Sequence, residues 1–264
     1  MPPRSRLWLL PLIAGLLPAI AAIAAFRVSV AHDVFASCNP FLDGCVSISR
    51  AGRHGVANHV FRLLMVPAAV LQAIAWVLCA AWLSRLGARG RALGWLAGLG
   101  IAAGIFLVVY GTFIGSEGKV YQLLRRHGVM TYFGCTYLCM LLVVHQLHRL
   151  AGAGLLRLRF PVAQALLALL ALNLVLGLAN VFLAPLLLDA EGRDRLENAV
   201  EWWAGASFTA FFCALAWLWK RTALRATWVT GGCFPGRESK PRAGSYPVIA
   251  FSARSLARCV FHAD

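Results

Sequence analysis

The chain has 264 residues, 60% of them hydrophobic and 13% charged, with a formal net charge of +15 and a mean hydropathy of +0.72. These values exclude an ordinary water-soluble domain and place the chain among membrane proteins. On so apolar a chain, a basic balance points to topology signalling or to an anionic lipid surface, not to a nucleic-acid partner.

A hydrocarbon core of ~30 Å takes roughly 20 apolar residues per crossing helix. Six segments qualify: residues 7–26, 63–83, 93–115, 128–144, 160–188 and 202–219. The expected fold is all-α, a polytopic six-transmembrane-helix bundle over residues 1–228 with both termini cytoplasmic. Residues 7–26 follow Arg4 and Arg6 and contain Ala22 and Ala24, so they also read as a signal peptide whose removal would leave five spans. Their length favours a retained helix. With the amino terminus inside, 16 of the 25 Lys and Arg residues fall on the inner side, the sense of the positive-inside rule. Eight of the ten acids fall outside.

The first outer connection, residues 27–62, contains "CNPFLDGCVSISRAGRHGVANHVFR". Cys38 and Cys45 bracket Asn-Pro and Asp-Gly turn signals. They are candidates for a disulfide-closed ring on the side where disulfides persist. Ser47 and Ser49 alternate with Val46 and Ile48, which reads as a short extended piece. Arg50, Arg53, His54 and Arg62 form a positive cluster near the membrane surface. Guanidinium forks suit a phosphate or carboxylate; the alternative is a solvated helix start. Ser47 or Ser49 beside His54 can also be drawn as nucleophile and base.

In the third span, Gly94 and Gly98, then Gly100 and Gly104, stand at helical spacing. This lets a neighbouring backbone approach and suggests a central helix. Residues 116–127 form another outer connection, and His127 opens the fourth span after Arg125 and Arg126. Cys135 and Cys139 read as small hydrophobes. Asn173 and Asn180, seven apart on one face of the fifth helix, are expected to bond another helix. The last outer connection, 189–201, ends at Glu201, followed by Trp202 and Trp203 as interfacial anchors. If the outer segments meet, His54, His127 and Glu201 converge. Such a set can bind a metal or relay a proton, although neither a metal nor a cofactor is assigned. No span carries a buried acid-base pair of the kind that marks ion pumps, which weakens a transporter reading. Residues 229–264 shift abruptly in composition and read as a disordered basic tail, or as an extension with a different coding history, such as a frameshift.

The stretches "SISRAGRHGVANHVFR", "HGVMTYFG" and "EWWAGASFTAFF" resemble the six-span family of the damage-regulated autophagy modulators, the fibroblast-growth-factor-receptor-activating, GPI-lipid-remodelling protein and the yeast Sfk protein. The corresponding positions are Ser47–Ser49, Phe61–Arg62, His127 and Glu201–Trp202. This chain has Gly55–Asn58 where that family usually has Pro after the Ser motif. The resemblance implies a lipid-associated role, with membrane lipids as partners. The leading expectation is an integral membrane protein that recognises an anionic headgroup at the outer leaflet through Arg50, Arg53, His54 and Arg62. The alternative is a membrane-embedded lipid hydrolase or acyltransferase using Ser47 or Ser49 with His54 or His127 and Glu201. The short loops suit a bacterial protein, for which the plasma membrane is the expected location.

Overall fold

The computed structural model describes residues 6–156, 158–222, 225–228 and 248–251. Among the described residues, six helical segments are long and apolar enough to cross a membrane, which makes the protein a multi-pass membrane protein. They are α1 (Leu9–Ala31), α3 (Gly55–Arg85), α4 (Ala92–Phe113), α5 (Lys119–Gly152), α6 with α7 (Phe160–Leu178 and Ala184–Leu187) and α8 (Ala190–Arg221). Between α1 and α3 lies one further turn, α2 (Ile48–Ala51).

α3, α5 and α8 run well past their apolar cores. α5 and α8, whose apolar segments are the shortest, are the longest helices, at 34 and 32 residues. At 1.5 Å per residue each extends about 50 Å, against a ~30 Å core. Nothing in 119–127 breaks a helix, so α5 simply continues outward. At the start of α8, Asp189 Oδ1 accepts from Gly192 N at 2.8 Å and Glu191 lies in the first turn; cap and charge both favour a helix beginning there. Most of the expected connections 116–127 and 189–201 are therefore helix.

Lys220 Nζ sits 4.9 Å over the Trp8 ring, and Trp82 Nε1 donates to Thr222 Oγ1 at 3.1 Å. The start of α1 and the finish of α8 thus share one end of the bundle, the terminal end. The opposite, loop end holds α2 and the starts of α3, α5 and α8. Gln72 Nε2 donates to the Ala14 carbonyl at 3.0 Å, Thr209 Oγ1 to Gly15 O at 3.2 Å and Ser29 Oγ to Ala51 O at 2.8 Å. α1 is stitched to its neighbours by three bonds at two levels.

Of the four spaced glycines in α4, only the second pair meets a neighbour. A Cβ at Gly100 would collide with the Trp76 side chain, and one at Gly104 with Ala73, while Gly94 and Gly98 face open space. α3, not α4, buries the largest share of its most apolar stretch. The small stripe on α4 admits Trp76, which packs on Phe212 with ring centroids 5.0 Å apart. Gly100→Ala is expected to lower stability by about 1–3 kcal/mol through overpacking. Gly94→Ala should leave it unchanged or slightly raised. Thermal unfolding of the two variants in one detergent separates them; equal melting would remove the close-approach role.

Asn173 Nδ2 donates to Ser207 Oγ on α8, as a bond between helices requires. Asn180 lies in a π-helical turn, Ala179–Leu183, just before Pro185. That proline has no N–H to give and its ring crowds the carbonyl one turn back, so the helix takes an extra residue there. Beyond the bundle, Arg225–Trp228 (β1) pairs in parallel with Val248–Phe251 (β2). The expectation of disorder over residues 229–264 otherwise lies outside the described residues.

Candidate functional site at the loop end of the bundle

Residues 47–51 do not form the extended piece that their alternation suggests. Ser47 has extended backbone and its hydroxyl accepts from Arg50 N at 3.1 Å, the geometry of a helix N-cap. One turn of helix follows, whose free N–H groups need acceptors. Glu201 on α8 supplies one. Its Oε2 accepts from Ile48 N at 2.9 Å and its Oε1 from Ser49 Oγ at 3.0 Å. Ser49 Oγ is also 2.9 Å from the Tyr110 hydroxyl on α4. A serine has one proton to give. With that proton on Glu201, Tyr110 donates to Ser49, and a directed chain runs from α4 through α2 to α8.

The ring before α2 is closed by a Cys38–Cys45 disulfide, with Cα atoms 6.7 Å apart. Asn39 Oδ1 accepts from Phe41 N at 3.1 Å, an Asx turn that shapes the ring. Phe41 lies between Trp202 and Trp203, 5.5 Å from each ring. Asn198 Nδ2 donates to Gly44 O at 2.8 Å, Trp202 Nε1 to Val46 O at 2.8 Å and Trp203 Nε1 to Phe41 O at 3.1 Å. Trp203 keeps the exposure of an interfacial anchor, but Trp202 is buried. The ring covers it, and burial of an indole calls for the partner that Val46 provides.

The basic residues divide by role. Arg62 donates to the Ile114 carbonyl at 2.6 Å. Asn58 Nδ2 donates to that same carbonyl and to Gly52 O, both at 2.9 Å. Arg62 thus ties α3 to the C-terminal end of α4. Arg50 pairs with Asp194 at 3.4 Å on the exposed surface, a contact of little energetic weight. Arg53 is half-buried. Burial first, then Arg125 and Arg50, holds its guanidinium below the ordinary arginine range. Charge of one sign is concentrated there.

The two histidines do not join the network. His54 precedes α3 as its cap residue without a side-chain hydrogen bond, and both His54 and His127 are exposed. Among the described residues, no three of His, Cys, Asp or Glu lie close enough to hold a metal ion. The expected convergence of His54, His127 and Glu201 is therefore corrected: both imidazoles face outward, and only Glu201 turns in. Ser47 is occupied as a cap. Of the candidate catalytic groups, only Ser49 and Glu201 meet.

Below this network lies an apolar cavity of about 220 Å³. Tyr110, Glu201, Phe41 and Trp202 line it near the loop end, and Gly15 and Gln72 line it deeper. Tyr110 is a member of this network that the sequence did not single out. Its signal is a lone phenol in an apolar span, since a buried hydroxyl must find a partner. Comparison with protein-family models, with curated proteins and with solved structures finds no match.

Proposed function

We propose that the protein is a lipid-binding integral membrane protein that holds an anionic headgroup at the outer leaflet, with both termini cytoplasmic. The observation that carries this reading is the concentration of guanidinium groups beside a cavity. Arg53 and Arg125 lie within electrostatic reach of each other and of Tyr110, which lines that cavity. Among the described residues neither arginine pairs with a carboxylate, whereas Arg50 does. Arg62 and His54 leave the headgroup set, the first for a structural bond and the second because it stands alone on the surface. The positive-inside distribution supports the orientation. The resemblance to the six-span lipid-handling family supports the ligand class, and in a bacterial host the plasma membrane is the membrane concerned.

Arg53→Ala combined with Arg125→Ala is expected to reduce retention of phosphatidylglycerol by about tenfold or more, the weight of one or two charge-assisted hydrogen bonds. Retention of phosphatidylcholine should be unchanged. Native mass spectrometry of the purified protein with the two lipids in competition reads both. An undiminished preference for phosphatidylglycerol in the double variant would overturn the headgroup site.

A second reading, a lipid hydrolase or acyltransferase, is favoured by the 3.0 Å contact between Ser49 and Glu201. It uses neither His54 nor His127. Release of fatty acid or transfer of an acyl group from a supplied phospholipid, lost on Ser49→Ala, decides between the two.

A further inference from the structure

The cavity has a physical cause. α5 meets α8 through rings: Tyr132 stands 6.1 Å and Phe133 5.2 Å from Phe208. Aromatic side chains reach further than aliphatic ones and hold the two backbones apart, while Gly205 and Ala206 on the facing stretch of α8 do not refill the space. Along α8 the lining runs from Glu201 to Thr209, eight residues or about 12 Å at the helical rise. Ile23 on the rim is 51% exposed, so the cavity opens sideways toward the hydrocarbon surrounding the bundle.

An apolar recess open to a bilayer favours hydrocarbon over water. The groups around its loop end narrow the choice. A fatty-acid carboxylate placed at the mouth would lie against Glu201, which disfavours it. The hydroxyls of Ser49 and Tyr110 already donate within the network and leave an ester no proton, whereas the positive charge of Arg53 and Arg125 lies in reach of Tyr110 and suits a phosphate. A hydrocarbon chain with a phosphate beyond its polar end is the arrangement of a glycerophospholipid.

We infer that the cavity between α1, α5 and α8 is an acyl-chain site that takes one chain of a glycerophospholipid, with the glycerol end of the chain toward Tyr110. The inference rests on the lipid-binding reading above and adds that the lipid is held by its chain as well as its headgroup. The chain enters sideways past Ile23 and lies against Phe133, Phe208 and Thr209. The phosphate remains at the surface on Arg53 and Arg125.

The test uses the full chain in nanodiscs containing phosphatidylglycerol or phosphatidylcholine with a photoactivatable diazirine at one chain terminus, followed by peptide mapping of the adducts. Adducts are expected on Phe133, Phe208 and Thr209, in excess of those on outward-facing Val175 and Val181 of the fifth span. Ala206→Leu, which fills the cavity, should lower the inner adducts by about tenfold, as exclusion of two methylenes would. Gly205→Ala is the milder variant. Its Cβ would make only ordinary contact, 3.5 Å from Ile48, and it should lower them in the same direction. Adducts confined to Val175, Val181 and other exterior residues, or inner adducts indifferent to both fillings, would overturn the chain site. Equal inner labelling by the two lipids would support the chain site while removing the anionic preference, so the two readings fail separately.

Discussion

Glu201→Ala is expected to lower the stability of the loop end by about 2–4 kcal/mol, because two part-buried donors lose their acceptor at once. Ile48 N and Ser49 Oγ both end on this carboxylate, at 2.9 and 3.0 Å. Without it the Ser49 proton has only Tyr110 to turn to, and that hydroxyl then needs a new partner for its own. The network comes apart at three members, as expected for groups that polarise one another in a medium of low dielectric. Glu201→Gln retains one acceptor oxygen and should cost about half as much, while Ser49→Ala removes one donor together with its need and should cost least. Thermal unfolding followed by tryptophan fluorescence ranks the three, since Trp202 and Trp203 adjoin the site in sequence. Melting of Glu201→Ala within a degree of the wild type would mean that α2 is not held by this residue.

Gly44→Ala should be about as damaging, by a different route. Gly44 has φ +57, a left-handed conformation that costs an L residue roughly 1–2 kcal/mol. A Cβ there would also collide with the backbone carbonyl of Arg195 on α8, which cannot swing aside as a flexible side chain would. The disulfide ring must then lift from α8, losing the bonds from Asn198 to Gly44 and from Trp202 to Val46. The expected total is about 3 kcal/mol or more, with faster reduction of Cys38–Cys45 by a water-soluble thiol. Reduction kinetics identical to the wild type would show that the ring does not depend on its seat against α8.

Much of the architecture was legible because the bilayer sets a local criterion. A segment of about 20 apolar residues needs no knowledge of its neighbours to be recognised as a crossing helix, and each of the six expected spans overlaps one of the six long helices. Where those helices stop was less legible. Polar residues at 119–127 and 189–201 mark the edge of the hydrocarbon, but a helix satisfies its own backbone on either side of that edge, so α5 and α8 continue. The polar concentration of the first connection was equally visible, as were the two cysteines of its ring.

The partners within the site belong to the tertiary structure. Ser49 lies 152 residues from Glu201 and 61 from Tyr110, and no spacing rule operates over such distances. The sequence by itself determined that serines, arginines, histidines and an acid gather beside the membrane in one chain. It could not determine that Arg62 turns inward to a carbonyl, that His54 and His127 turn outward, or that Trp202 is covered by the ring. Those choices follow from which helix lies beside which. A side chain in a bundle is free to point to solvent, lipid or a neighbour, and the packed arrangement decides where each polar group finds its bond.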